Sequence, residues 1–405
     1  MSIRRDINPI CDRRVSLACP SCGRIGLQEF YDAGLLPVHN VLVMETYEEA
    51  ISHPMGEVAL GLCEGCGFIT NTRFDPSLLN YSSNCEDTQH YSAHFNQYAD
   101  SLVRRLVDDL GIRRKTVVEI GSGGGDFLEL ICRMGENDGI GIDPASDPQR
   151  LAHSDSGRVR FLPEYYNERH AELAADAILC RHSLEHIPAT RELLTTVRKS
   201  IGERLETQVF FELPDTGRVL REAAFWDIYY EHCSYYTAGS LARLFRETDF
   251  EVTQIWKEYG DQYLCLIAKP AVAPTLPHHE LEFDLESIHR DVKQFQRDLG
   301  RTIRSWQHRL GEYQALDRKV VIWGGSSKTV GFVNTLGLSD IIDCVVDVNP
   351  RKWNRFLPGS GHEIVSPESL QQNRPDVVIV MNPVYFTEIQ NQLSELGLTP
   401  ELIAA

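Results

Sequence analysis

The densest group of proton-handling side chains in this 405-residue sequence is Trp226-Asp-Ile-Tyr229-Tyr230-Glu231-His232-Cys233-Ser-Tyr235-Tyr236. Forming a carbanion or enolate requires a base near neutral pKa and donors aimed at the developing oxyanion. Histidine, glutamate and tyrosine supply both, although an aromatic hinge with a capped histidine uses the same residue types. A second group, Arg181-His182-Ser-Leu-Glu-His186-Ile-Pro188, adds two histidines. His182 is the candidate catalytic residue there, and His186, four residues further along an expected helix, reads as structural. The third group is chemically different. Cys19-Pro-Ser-Cys22-Gly and Cys63-Glu-Gly-Cys66-Gly are glycine-tailed CxxC knuckles, each aiming two thiolates at one point. Together Cys19, Cys22, Cys63 and Cys66 make a closed tetrahedral zinc site with no position left for water, so the metal is expected to be structural. A redox CxxC or plain core thiols are the alternative.

These groups need elements to position them. After an expected helix over 92–110, the β-branched run Thr116-Val-Val-Glu-Ile120 has the pattern of a buried parallel strand. Gly121-Ser-Gly-Gly-Gly-Asp-Phe127 follows, then a helical stretch. Glycines at such a turn let the backbone approach a ligand at a helix N-terminus. The next strand ends at Asp143, about twenty residues on, where a carboxylate can accept both ribose hydroxyls. Further strands over 159–162, 174–180 and 208–214 continue an α/β pattern and leave His182 and the 226–236 cluster at the ligand-binding edge of a doubly wound sheet. A NAD-binding Rossmann domain is the rival reading of this unit.

A proline-rich break, Pro270-Ala-Val-Ala-Pro-Thr-Leu-Pro277, ends the central unit. Beyond it Leu285, Ile288, Val292, Phe295, Leu299, Ile303, Trp306, Leu310 and Tyr313 recur at three- and four-residue steps, predicting one long amphipathic helix. It is expected to pack between domains, with a dimer seam as the alternative. The strand 319–323, the loop Gly324-Gly-Ser326-Ser-Lys328 and a second strand ending at Asp347 then predict another Rossmann-like unit. Four segments result: a zinc-binding module over 1–85, a nucleotide-binding α/β unit over 86–270, a linker and long helix over 271–318, and a C-terminal α/β domain over 319–405.

A net charge of -18 disfavours nucleic acid as a partner. No apolar run reaches the roughly 20 residues of a membrane span. With no secretory signal pattern near Arg4 and Arg5, a cytoplasmic location is the default expectation. Eleven cysteines, an odd number, argue for metal ligands and buried thiols such as Cys132, Cys180, Cys265 and Cys344.

The run Glu119-Ile-Gly-Ser-Gly-Gly-Gly-Asp-Phe127 resembles motif I of the class I methyltransferases, which use S-adenosylmethionine. By that resemblance Gly121, Gly123 and Asp126 line the amino-acid part of the cofactor and Asp143 its ribose, with Glu119, Ser122 and Phe127 also in the cofactor site. The Y-x-E-H-x-x-Y pattern from Tyr229, the paired knuckles and the C-terminal unit together resemble the sugar C-methyltransferases, which act on nucleotide-linked 4-keto-6-deoxysugars. The resemblance implies that Tyr229, Glu231, His232 and His182 are active-site residues. It also implies that the C-terminal domain faces the transferase across a cleft and helps hold the substrate, so Tyr230, Ser326 and Lys328 are candidate substrate contacts, the last two for a diphosphate. Relatives carry tyrosines after the zinc module, where this chain reads Asn80-Tyr81-Ser-Ser-Asn-Cys85-Glu86. The expected protein is a monomeric or homodimeric enzyme of secondary metabolism with a small-molecule acceptor. Oxygen or nitrogen methylation, a nicotinamide oxidoreductase and a non-catalytic zinc-containing interaction protein remain as other readings.

Overall fold

Strands with apolar residues on both faces divide their side chains between two cores, and this alternation organises two of three sheets. The computed structural model describes residues 10–79, 86, 88–146, 157–272, 276–337 and 339–405. The reading of Asn80 to Cys85 therefore lies outside the described residues.

The first sheet is antiparallel, formed by β1 (Ile10–Ala18), β2 (Ile25–Pro37), β3 (Met55–Leu62) and β4 (Ile69–Asn71). The two cysteine knuckles are its β1–β2 and β3–β4 turns. The central sheet contains β5 (Thr116–Ile120), β6 (Asp138–Ile142), β7 (Val159–Leu162), β8 (Ala177–Arg181) and β9 (Gln208–Pro214). The short strand β10 (Ser234–Tyr235) leaves this unit to pair with β4, so the N-terminal sheet is completed by residues just past the catalytic candidates. Strands β11 (Phe250–Glu258) and β12 (Tyr263–Pro270) return to the central sheet, whose order is β11-β12-β9-β8-β5-β6-β7. Strands β5 to β9 are parallel and β12 is antiparallel to both neighbours. In β12, Leu264, Leu266 and Ala268 enter one core while Cys265 and Ile267 enter the other.

The third sheet has the order β15-β16-β14-β13-β17-β18, from β13 (Val320–Trp323), β14 (Ile342–Val346), β15 (Arg355–Phe356), β16 (Glu363–Val365), β17 (Val377–Val380) and β18 (Glu401–Ala404). All its pairings are parallel except that of β15 with β16. The expected α/β architecture of two Rossmann-like units is therefore present.

Two local expectations are corrected. The fourth strand starts at Ala177, not Ala174, because Ala174 caps a short 3-10 helix in the left-handed region, φ 49°. His186 ends a 3-10 turn over Leu184–His186 in place of a longer helix, since Pro188 stops propagation.

The predicted amphipathic helix spans Leu285–Ala315, and Ile288, Val292, Phe295, Leu299, Ile303, Trp306, Leu310 and Tyr313 are its buried residues. It packs inside this chain. Phe295 meets Phe30 and Tyr31 of β2 edge-on at 6.0 and 5.4 Å, and Trp306 meets Phe332 of the C-terminal domain at 5.0 Å. Gln296 Nε2 donates to the carbonyls of Cys11 and Phe30. No described helix is long and apolar enough to cross a membrane. Truncating Phe295 leaves a cavity where the N-terminal sheet meets the helix, so Phe295→Ala is expected to lower unfolding free energy by about 3–5 kcal/mol. Denaturant melts would check this, and a loss below about 1 kcal/mol would show that the helix does not hold the sheet.

Candidate active site

His182 follows directly after β8 in the left-handed region, φ 47°, with its main-chain N–H donating to the Glu212 carbonyl at 2.8 Å. Its imidazole lies between two carboxylates. Nε2 is 3.2 Å from Glu212 Oε1, and Nδ1 is 3.7 Å from Glu185 Oε1. Glu212, on β9, also accepts from Arg181 Nε at 2.6 Å and from the Tyr98 hydroxyl at 2.8 Å. Burial disfavours the imidazolium, but hydrogen bonds and charge from Glu185 and Glu212 outweigh it and raise His182 to about 9. The ring is thus a cation at neutral pH with both nitrogens turned to acids.

His232 has the opposite environment. It is buried, with its ring 4.2 Å from that of Tyr229 and 4.7 Å from that of His186. Burial first, then His186, His182 and Lys328, hold it well below the ordinary histidine value, so it is neutral. The Tyr229 phenol is pushed far above its usual value by burial and by nearby Asp227, Tyr235, Glu185 and Glu231. Glu231 is 2 % exposed and its Oε2 accepts the main-chain N–H of Asn40 at 2.7 Å.

Tyr230 departs from its expected role. Its hydroxyl donates to the Asp75 carbonyl at 2.8 Å and accepts from the Asp75 N–H at 2.9 Å, while its ring occupies the space a side chain at Gly56 would need. Fully buried, it pins the N-terminal module, and its only donor hydrogen is committed to Asp75.

The C-terminal domain meets this segment through the helix Ser327–Leu336. A Cβ at Gly331 would stand 2.9 Å from the Trp226 carbonyl oxygen, so only glycine allows that approach without a shift. Lys328 pairs with Asp227, which also pairs with Arg218. Ser326 precedes the helix as its N-cap without a side-chain capping bond. Of the two expected substrate contacts of this domain, Lys328 therefore sits beside the 226–236 cluster.

At the crest of the central sheet, Gly121 and Gly123 have φ of 69° and 51°. A Cβ at Gly121 would fall 2.0 Å from Ser183 Oγ. Asp143 accepts the N–H of Gly123 at 2.9 Å and of Ala145 at 2.8 Å. Asp126 is exposed and its Oδ2 is 3.2 Å from Thr88 Oγ1. Phe127 is buried with the Arg181 guanidinium 3.8 Å above its ring, so it supports the loop from within the core.

The four knuckle cysteines converge. Sγ of Cys19 is 3.7 Å from that of Cys66, and Sγ of Cys22 is 3.6 Å from that of Cys63. A tetrahedral Zn–S₄ centre with bonds of about 2.3 Å has edges of about 3.8 Å, so the set fits. Both knuckles use the same turn, in which the glycine N–H, of Gly23 or Gly67, donates to the carbonyl of the first cysteine at 2.8 Å. Each glycine is left-handed, φ 76° and 72°.

Residues 90–255 match the family model described as a methyltransferase domain, and residues 268–399 match that of the C-methyltransferase C-terminal domain. Over 392 residues the chain is 26% identical to the C-methyltransferase NovU of Streptomyces niveus, covering 92% of this chain and 90% of that one. The chain thus carries a methyltransferase domain followed by a C-methyltransferase C-terminal domain. It is an S-adenosylmethionine-dependent methyltransferase. Among solved structures it is similar to a Burkholderia thailandensis 1,6-didemethyltoxoflavin-N1-methyltransferase, with TM-score 0.35 and 18% identity over 46% of this chain and 81% of that one. Another is magnesium protoporphyrin IX methyltransferase from Synechocystis PCC 6803, with TM-score 0.35 and 13% identity over 44% and 84%.

The crest of the central sheet suits a polar cofactor. Among the described residues, Glu119 Oε2 and Ser122 Oγ are buried without hydrogen-bond partners beside the glycine turn. Burial, only partly opposed by Arg181, lifts Glu119 to about 8. Asp143 retains lone pairs for two hydroxyl donors.

Sequence reasoning passed over Glu185, Glu212, Arg181 and Asn40. The first three stood in quoted strand ends and needed only a carboxylate–histidine pairing test; Asn40 carries no local signal. Glu212→Gln removes one of the two acids facing His182. Its titration midpoint is expected to fall from about 9 toward 6.5, read by NMR of the imidazole. A folded value above the unfolded one means that this contribution to stability is complete below 6.5 and vanishes as pH rises through about 9. The variant should narrow that window, and an unmoved midpoint would count against the pairing.

Proposed function

We propose that this enzyme methylates a carbon alpha to a carbonyl in a small molecule, such as a nucleotide-linked keto-deoxysugar or a related secondary metabolite. The observation that supports this most is the divergence of its histidines: His232 neutral beside a protonated Tyr229, His182 cationic between two acids. Burial leaves the imidazole unprotonated at neutral pH and so able to take a proton, though as a weaker base than a free histidine, and a phenol beside it can donate to the oxyanion of an enolate. In this reading His232 is the base and Tyr229 the donor. Glu231, held by the Asn40 N–H, fixes the segment, and His182 acts as a fixed charge behind it.

S-adenosylmethionine supplies an electrophilic methyl. Gly121, Gly123 and Asp126 would hold its amino-acid end, with Glu119 and Ser122 as further polar contacts and Asp143 on the ribose. Ser326 and Lys328 would hold an acceptor's phosphates at the mouth of the C-terminal domain, which faces the same segment. The protein's remaining contribution is alignment and exclusion of water. Zinc on Cys19, Cys22, Cys63 and Cys66 would be structural, because four thiolates fill the shell.

His232→Ala should lower turnover by roughly 10²- to 10⁴-fold while leaving the dissociation constant of S-adenosylhomocysteine nearly unchanged in calorimetry. Parallel loss of both would refute the assignment. Incubation with isotopically labelled methyl donor and a nucleoside-diphosphate-linked 4-keto-6-deoxyhexose should give a product with the label on carbon; label on oxygen or nitrogen would overturn the acceptor reading. Metal analysis should find one zinc per chain, and chelation should lower the melting temperature; a metal-free protein with the same melting temperature would exclude the structural role.

A further inference from the structure

Loop residues 39–41 of the N-terminal module are fastened one by one beside the catalytic segment. His39 Nδ1 lies 3.1 Å from His53 Nε2, the Asn40 N–H donates to Glu231 Oε2 at 2.7 Å, and the Val41 carbonyl accepts the Glu86 N–H at 3.0 Å. Within this fastened loop the Asn40 side chain is the exception. Asn40 is 1 % exposed, yet neither Oδ1 nor Nδ2 has a hydrogen-bond partner among the described residues. A buried carboxamide with both ends unsatisfied is costly, and buried polar groups are otherwise almost always paired. Asn71 of the same module shows the ordinary outcome: its Oδ1 accepts from the Ala59 N–H and its Nδ2 donates to the Glu57 carbonyl.

An apolar residue of the same size would relieve the cost at position 40, so the amide serves something that arrives later. Its neighbour Glu231 immediately precedes His232, which limits where that partner lies. We propose that Asn40 is a substrate-binding residue through which the zinc module takes part in acceptor recognition. Its Nδ2–H₂ donates to one oxygen of the acceptor, and its Oδ1 accepts from a hydroxyl next to the reacting carbon. A ligand that satisfies both ends at once is polyoxygenated, with a hydroxyl and a carbonyl or second hydroxyl on adjacent carbons. This matches a keto-sugar and disfavours a flat aromatic acceptor with a single oxygen. The inference rests on the proposed function, which it makes more specific.

The test uses the full-length, zinc-loaded protein and the variant Asn40→Ala. Because the side chain has no partner before the acceptor binds, the variant without ligand should melt at or above the wild-type temperature. With a nucleoside-diphosphate-linked 4-keto-6-deoxyhexose as probe, KM should rise about 10- to 100-fold, while S-adenosylhomocysteine affinity stays the same. A variant that fails to fold or melts several degrees lower, or one with unchanged KM, overturns the proposal. If wild-type protein methylates none of the ketosugar, the acceptor class under the proposed function fails. Asn40 is then judged on melting temperature and on label transferred from isotopic methyl donor to a cell extract: equal incorporation by wild type and variant refutes it, and loss of incorporation with retained stability supports it.

Discussion

The apolar stripe from Ile288 to Tyr313 is the surface on which the parts of this molecule meet. Its residues belong to one continuous core with Phe30 and Tyr31 of the N-terminal sheet, Phe225, Trp226 and Tyr230 of the segment leading to His232, and Phe332 and Val333 of the C-terminal domain. Burial of large aromatic and aliphatic side chains is the dominant favourable term in such packing, and it is lost over the whole face if one partner withdraws. The stripe therefore fixes the segment carrying His232 relative to both flanking domains. Phe225 stacks on Phe332 at 5.9 Å, and Gly331 lets the C-terminal helix lie against the Trp226 backbone.

Charge placement completes what the packing begins. Arg181, Glu212, His182 and Glu185 alternate in sign behind the crest of the central sheet, so each buried charge has an opposite neighbour. His232 lies within 4.8 Å of the last acid of this chain, Glu185, but packs among aromatic rings and beside His186, and burial keeps it neutral. Two histidines with the same intrinsic basicity are driven to different protonation states by what surrounds them, which is how one fold can hold a neutral and a cationic imidazole close together.

The N-terminal module is more than an appended unit. Its knuckles rest against the transferase, where Arg243 Nε donates to the Cys66 carbonyl at 2.9 Å. Its sheet is finished by Ser234 and Tyr235, and its Asp75 backbone clamps the Tyr230 hydroxyl. Four convergent thiols join two hairpin turns, and β10 ties their sheet to the 226–236 segment, so order in the module and order in that segment are mechanically linked.

Periodicity and spacing by themselves determined much of this protein. The step of three and four along 285–313 yielded the long helix and its buried face, β-branched runs yielded the parallel strands, and two glycine-tailed CxxC pairs yielded the four convergent thiols. These are local consequences of backbone geometry, legible wherever one face of an element must be apolar. Tertiary structure alone decided the rest. It separated a cationic His182 from a neutral His232, turned Tyr230 from an expected substrate contact into a clamp on Asp75, and brought Asn40 to Glu231 across 191 positions of sequence. Protonation state and hydrogen-bond partnership depend on burial and on charges contributed by distant segments, and neither quantity is written in the residues adjacent to the group it governs.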